Sequence, residues 1–256
     1  LFRSDDIPAG LGYPLFGRIH VLSMAVTLLF VLCGICLFLC LQKEQRKRVL
    51  RAIPVVMLIM ELFKDGFLIR VHRFGLGFLP LHICSIGIFI FLIREFAVNS
   101  RVKAFCGETA YVLIMPSALA ALIFPDWTVY YPVWNFMNLY SYLWHGLLIA
   151  YPLLLRINGE VRPSIRHIYR PVLFLMAVTP FIYIFDRKFN CNYFFVNGPL
   201  PGTPLEWLAS FLGVPGYLIG YAFLAILVFA AVYLMDGLIY RILDRKNEND
   251  RHSSVK

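Results

Sequence analysis

Long apolar segments separated by short polar or charged connections dominate this chain. A helix needs about 20 apolar residues, range roughly 17–25, to cross a hydrocarbon core. Seven stretches approach that length, over about 17–41, 53–70, 79–93, 104–124, 134–155, 168–186 and 215–240. The pattern predicts an all-α fold, a polytopic membrane helical bundle with about seven transmembrane helices. We expect a single transmembrane domain over residues 1–245 and a polar cytoplasmic tail over residues 246–256.

The composition agrees with a protein built for lipid. Apolar residues make up 60% of the chain and charged residues only 15%, whereas soluble domains usually have about 25% charged residues. We therefore expect an integral, multi-pass membrane protein.

The net charge of +9 raises the question of nucleic-acid binding, but the distribution of the charge favours a topological explanation. Basic residues concentrate in alternate connections, at Lys43, Arg46, Lys47, Arg48, Arg51, Arg94, Arg101, Lys103, Arg156, Arg162, Arg166, Arg170, Arg241, Arg245, Lys246, Arg251 and Lys256. The opposite connections hold Arg3, Arg18, Arg70, Arg73, Arg187 and Lys188. By the positive-inside rule, the N-terminus lies outside and the C-terminus in the cytoplasm. Membrane lipids, and not nucleic acid, are the expected partners; protein partners are left open.

Three charged residues interrupt the second apolar segment. Glu61, Lys64 and Asp65 are three and four residues apart, so they share one helical face. They are either an internal salt bridge that holds the bundle together or a charged wall of a polar cavity, with Lys64 placed to meet a phosphate or carboxylate.

His82 and Cys84 open the third segment, and polar or reactive side chains at membrane depth mark a functional site by default. We expect both residues one to one and a half turns inside this helix, pointing about 160° apart. Cys84 then needs a base from another helix, and His145 in the fifth segment is the candidate. Their predicted depths differ, about 8 Å against about 16 Å. A packing role remains the alternative for Cys84, and an interhelical hydrogen bond remains the alternative for His145.

Other candidate chemistry is sparse. His20, near the outer end of the first segment, is either interfacial or a third polar member of the site. Cys33, Cys36 and Cys40 form a stripe without a nearby histidine or acid to complete a metal site, so they are expected to be packing residues. We expect no metal and no cofactor, and the chain has no phosphate-binding glycine loop.

Several motifs occur together in one order along the chain. They are Phe16-Gly17-Arg18-Ile19-His20, Glu61 with Lys64, Leu79-Pro80-Leu81-His82-Ile83-Cys84, His145-Gly146, and Asn192-Tyr193 with Phe195 before a Pro-rich loop. With this order and spacing, over about residues 16–240, the chain resembles the YwaF family of integral membrane proteins, whose animal relative is transmembrane protein 164. Leu-Pro-Leu-His-x-Cys is the most specific of these motifs.

The resemblance implies an all-helical membrane acyltransferase that moves fatty acyl groups on glycerophospholipids or related lipids through a cysteine thioester. It assigns the nucleophile to Cys84 and the partner histidine to His145. His20, Glu61, Lys64, His82, Asn192 and Tyr193 would bind substrate or support the pair. It also implies a bacterial plasma membrane.

One alternative comes from a different functional class. A non-enzymatic carrier or receptor would use buried Glu61, Lys64 and the histidines to bind a solute or relay protons. Secondary transporters often show internal repeats or paired broken helices, and neither is visible here. A third possibility is an assembly protein whose polar residues only hold the bundle together.

Overall fold

The computed structural model describes the backbone of residues 10–253 and the side chains of residues 10–242. Within this range the chain is helical and contains no β-strand, so the predicted all-α class is confirmed. The helices are α1 (Arg18–Cys40), α2 (Lys43–Arg70), α3 (Ile83–Phe96), α4 (Ser100–Thr109), α5 (Met115–Ile123), α6 (Phe136–Ile157), α7 (Tyr169–Phe189), α8 (Pro204–Leu212) and α9 (Tyr217–Ser253).

Each predicted apolar segment coincides with helical structure, although several boundaries differ. Helices α4 and α5 are joined by a π-helical turn, Ala110–Ile114, into one continuous rod. Helix α2 begins ten residues before its apolar part, because Gln42 and Gln45 form a cap in which Gln45 Oε1 accepts from the Gln42 N–H at 2.9 Å. Helix α9 continues to Ser253, past the predicted start of the tail at Lys246. Residues 254–256 of that tail lie outside the described residues.

Four stretches are long and apolar enough to cross a membrane by length and composition. They are Arg18–Cys40, Ser100–Val129, Ile165–Phe189 and Tyr217–Ile242. Their outward faces carry large apolar side chains, such as Leu37 at 70% and Phe181 at 75% exposure. Soluble proteins rarely expose contiguous apolar surface on this scale, so these faces are suited to lipid.

Helix α3 is too short to cross a bilayer by itself. Its 14 residues extend about 21 Å, against a hydrocarbon core of about 30 Å. Irregular backbone, including a 3-10 turn at Leu76–Phe78, connects α2 to α3. Such backbone is stable at membrane depth only when protein covers it or it lines a cavity.

Helix α6 lies at the centre of the bundle and packs against α1, α2 and α5. Glycine allows two close approaches around it. A Cβ added to Gly146 of α6 would lie 3.2 Å from Thr27 Cγ2 of α1, and a Cβ on Gly87 of α3 would lie 3.0 Å from side-chain carbons of Ile114 and Leu148.

Three carboxylates cross-link the end of the bundle at which most basic residues lie. Each accepts hydrogen bonds from one arginine and one tyrosine. The sets are Glu95 with Arg94 and Tyr151, Glu108 with Arg170 and Tyr233, and Asp236 with Arg156 and Tyr111. The Glu95 cluster connects α3 to α6, and the Glu108 cluster connects α4 to α7 and α9. The Asp236 cluster connects the π-helical turn to α6 and α9. We call them the three carboxylate clusters.

Gly87→Val is expected to lower the thermal midpoint of the purified protein, because the added side chain must displace Ile114 and Leu148. Overpacking of this kind costs about 1–3 kcal/mol. Gly34→Val on α1 is the matched control, since a Cβ at Gly34 meets nothing within 4 Å. Equal thermal midpoints for the two variants would contradict the close packing of α3 against α6.

Candidate functional site

A cavity of about 1110 Å³ lies at the opposite end of the bundle from the three carboxylate clusters. Helices α2, α3, α5, α6, α7 and α9 contribute to its wall, together with residues 194–205 of the connection between α7 and α9. Ligand cavities are usually about 300–1,000 Å³ and mainly apolar, with a few convergent polar groups. This cavity is slightly larger than that range and is likewise mainly apolar with a few polar groups.

The structure brings five of the eight predicted site residues to one cavity wall, namely Glu61, Lys64, His82, Cys84 and His145. The other three, His20, Asn192 and Tyr193, do not line the cavity.

Cys84 lies in the first turn of α3, and the expectation of a deeper position is wrong in this detail. The helix begins at Ile83, with His82 as its N-cap residue in extended conformation. His82 is therefore outside the helix, so the expected 160° divergence does not apply and both side chains line the same cavity. Pro80 in the sequence carries a signal for this boundary, because the residue before a proline favours extended backbone.

The N-terminus of α3 presents hydrogen-bond donors beside Cys84. An α-helix leaves its first N–H groups without intrahelical partners, and no side chain caps those of α3. These N–H groups and the helix dipole favour negative charge at this position. The thiol of Cys84 is half-buried, and it lies within electrostatic range of Asp126 and Tyr221.

His145 reaches the cavity from α6, with one ring nitrogen already engaged. Its Nδ1 is 2.7 Å from the carbonyl oxygen of Ser141. Since a carbonyl only accepts, Nδ1 must carry the proton, and Nε2 is the basic nitrogen of the neutral ring. The ring stacks on Trp127, with centroids 4.9 Å apart and planes inclined by 12°.

Cys84 and His145 share the cavity wall without direct contact. Among the described residues, no hydrogen bond joins the Cys84 thiol to the His145 ring. His82 lines the same cavity and lies within electrostatic range of His145 and Lys64. Catalytic hydrogen bonds are often long in ligand-free structures and tighten only when substrate binds.

Tyr193 holds His82 and the irregular backbone before α3 in place. Its ring meets the His82 ring edge-on, with centroids 4.6 Å apart, and its hydroxyl donates to the Leu76 carbonyl. Asn192 organises the loop that carries Tyr193, since its side-chain oxygen accepts from the N–H groups of Asn197 and Gly198 at 3.1 and 3.0 Å. These two residues support the site from behind the wall.

Glu61 and Lys64 form a salt bridge that also lines the cavity, so the two sequence-based interpretations hold together. Lys64 Nζ is 2.8 Å from Glu61 Oε1 and 3.1 Å from Asp65 Oδ1. Tyr140 of α6 donates to Glu61 Oε2 at 2.6 Å. Because two carboxylates face one ammonium, most of the charge on Lys64 is offset within α2.

His20 lies outside the cavity and has a structural role. Its Nδ1 accepts from the Phe16 N–H, and its Nε2 is 2.9 Å from the Leu122 carbonyl, to which it must donate. Both ring nitrogens are thus committed, which fixes the neutral Nε2–H form. The side chain is fully buried and ties the start of α1 to the end of α5.

Sequence reasoning missed several cavity residues, chiefly Asp126, Trp127, Tyr140 and Tyr221. Trp127 has a buried indole N–H without an acceptor, so it can donate to a ligand. The aromatic-rich loop around Trp127 was visible in the sequence, but its contact with His145 depends on tertiary folding. In the described part of the chain, no group of three or more His, Cys, Asp or Glu side chains is placed to hold a metal ion.

The long apolar helices with exposed apolar faces are those of an all-helical integral membrane protein. A comparison with protein-family models matches the TMEM164 family over residues 15–233. Because this match covers most of the sequence, the chain belongs to the TMEM164 family. Neither a search of curated proteins nor a search of solved structures found a match.

Tyr140→Phe is expected to destabilise the protein, because Glu61 would lose a hydrogen bond while its carboxylate stays buried. Hydrogen bonds to charged groups contribute about 1.5–3 kcal/mol. The measurement is the thermal midpoint in detergent. Tyr130→Phe is the control, since Tyr130 lines the same cavity but is 68% exposed. A loss of stability that is no larger than in this control would exclude a supporting role for Tyr140.

Proposed function

We propose that this protein is a membrane acyltransferase that moves fatty acyl groups on glycerophospholipids or related lipids through a thioester on Cys84. The observation that carries the proposal is the position of Cys84 in the first turn of α3, on the wall of a large apolar cavity shared with His145. A cavity of about 1110 Å³ with a mainly apolar wall suits an acyl chain.

The first half-reaction forms the acyl-enzyme. The Cys84 sulfur attacks the ester carbonyl of the donor lipid while His145 Nε2 takes the thiol proton. N–H groups of the first turn of α3 stabilise the resulting oxyanion. The C–O bond of the ester then breaks, and the leaving alkoxide takes the proton back from His145. The acyl group remains as a thioester and the lysolipid departs.

The second half-reaction reverses these roles. A hydroxyl of the acceptor lipid gives its proton to His145 and attacks the thioester carbonyl. The C–S bond breaks, and the Cys84 thiolate regains a proton from His145. His82 lies beside Cys84 and His145, and Tyr193 positions the His82 ring. Asn192 orders the loop that carries Tyr193. Lys64, although most of its charge is offset by Glu61 and Asp65, donates a hydrogen bond to the head-group phosphate, and His20 supports the fold around the site.

Topology forms part of the same proposal. The chain crosses the membrane seven times, with its N-terminus outside and its C-terminus in the cytoplasm, as the positive-inside rule implies. The cavity then opens in the outer half of the bilayer. The resemblance to YwaF proteins further implies a bacterial plasma membrane.

The carrier or receptor alternative gains no specific support. Glu61, Lys64 and Tyr140 satisfy one another, so the buried charges that this alternative assigned to a solute are already paired, and the unpaired Trp127 N–H would serve a lipid as well as a solute. The acylation experiment below separates the two classes, because a carrier forms no covalent adduct.

Detergent-purified protein incubated with phospholipid should gain the mass of one fatty acyl group, and hydroxylamine should remove it. Cys84→Ser should lose the hydroxylamine-sensitive adduct. His145→Gln should slow its formation by about 10²–10⁴-fold, the usual contribution of a general base.

Cys33→Ser is the matched control for this experiment, since Cys33 is exposed on α1 away from the cavity, and it should acylate like the unmodified protein. Absence of an adduct with every phospholipid class, in protein shown to be folded, would refute the acyltransferase.

The topology predicts that a membrane-impermeant maleimide labels Cys191 from outside the cell but not a cysteine introduced by Arg48→Cys. Cys191→Ser measures the background from the other cysteines.

Partial burial and the nearby Asp186 carboxylate raise the pKa of the Cys191 thiol. Because the thiolate is the reactive form, labelling should accelerate about tenfold per pH unit below that pKa. If the reagent labelled only the cysteine introduced by Arg48→Cys, the chain would have the opposite orientation in the membrane.

A further inference from the structure

A second concave site lies at the end of the bundle that holds the three carboxylate clusters. This basic pocket has a volume of about 660 Å³ and is formed by residues of α2, α3, α4 and the ends of α1 and α6. Its charged lining consists of six cations and two carboxylates: Lys43, Arg46, Lys47, Arg51, Arg94, Lys103, Glu95 and Glu160.

The basic pocket is separate from the cavity that contains Cys84. Helix α2 contributes to both, and the stretch from Arg51 to Lys64 is about 20 Å long. Helix α3 likewise contributes its first turn to the cavity and its last turn, with Arg94, to the basic pocket. No lining residue is shared between the two sites.

The two carboxylates in the basic pocket are already paired. Glu95 and Glu160 both accept hydrogen bonds from Arg94. Glu95 also accepts from Tyr151 at 2.6 Å, and Glu160 from Asn158 at 2.6 Å. With Arg94 they form a group of net charge −1, so the five other cations of the lining still give the basic pocket a large excess of positive charge.

Most of those remaining cations have no acidic partner within the basic pocket. Arg46 donates to the carbonyls of Leu39 and Leu41 at 2.6 and 2.9 Å, which fixes its guanidinium without neutralising it. Among the described side chains, Lys43, Arg51 and Lys103 form no ion pair. The positive-inside rule accounts for basic residues at this end, but it does not require them to converge on a concave site from different helices.

We propose that the basic pocket binds an anion that carries a phosphate monoester or pyrophosphate group. Such a group bears about two negative charges and several strong acceptor oxygens, which match a converging set of lysine and arginine donors. The group is supplied either by the head of an anionic lipid or by a soluble phosphate compound. The shared chemistry is a doubly charged phosphate held by Lys43, Arg51 and Lys103.

The test uses the full chain in detergent and two probes. Pyrophosphate binding is followed by the shift in thermal midpoint during titration, and adducts with phosphatidic acid or phosphatidylcholine are counted by native mass spectrometry. Saturable pyrophosphate binding without a preference for phosphatidic acid identifies a soluble ligand. A preference for phosphatidic acid over phosphatidylcholine identifies a lipid head group. Both results support a phosphate site, whereas failure of both probes overturns it.

Matched variants separate a built site from diffuse positive charge. The variant Lys43→Gln/Arg51→Gln/Lys103→Gln should weaken binding of the successful probe at least about tenfold, the equivalent of 1.4 kcal/mol. The control Arg48→Gln/Arg101→Gln/Arg166→Gln removes the same charge from exposed positions outside the basic pocket, and it should weaken binding by less than about threefold. Equal weakening in the two variants would overturn the proposal. The thermal midpoint without ligand shows whether both variants remain folded.

Discussion

The shortness of helix α3 is the constraint on which the candidate site depends. A helix that begins at Ile83 leaves irregular backbone before it, and the buried polar groups of that backbone need hydrogen-bond partners from elsewhere in the protein. The loop after α7 meets this requirement, because Tyr193 donates to the Leu76 carbonyl and its ring supports His82. The same arrangement leaves the first N–H groups of α3 beside Cys84 and encloses the space in front of it. The late start of α3 thus accounts both for the cavity and for the free N–H groups beside Cys84.

The placement of charge follows from the cost of burying it. Glu61 and Lys64 are 5% and 7% exposed, and neither would be stable alone in an apolar wall. Tyr140 completes their hydrogen bonding from α6, so that the pair also joins two helices. The one lysine of the cavity wall is therefore paired before any ligand enters. In the basic pocket, by contrast, several cations have no acidic partner among the described side chains.

The helical segments were predictable from hydropathy, because lipid-facing and buried apolar residues both favour long apolar runs. The sequence marked Glu61, Lys64, His82, Cys84 and His145 as candidate site residues, but the predicted depths of Cys84 and His145 differed, so their meeting in one cavity could be seen only in the fold. The residue at which each helix begins and the contacts between helices were harder to predict from the sequence. The start of α3 at Ile83 depends on contacts with Tyr193, more than a hundred residues away. The same holds for Tyr140, whose role requires α2 and α6 to meet, and for His20, whose two backbone partners cannot be read from its neighbours.

The three carboxylate clusters give the bundle unequal stiffness along its length. Arginine and tyrosine side chains lock α3, α4, α6, α7 and α9 together at one end, whereas aromatic contacts and a loop close the other. Helices that are held together by the carboxylate clusters at one end can separate only at the opposite end, where the cavity lies. A ligand must then enter and leave by the same mouth. For any ligand of the cavity, entry and exit are then two directions of the same path.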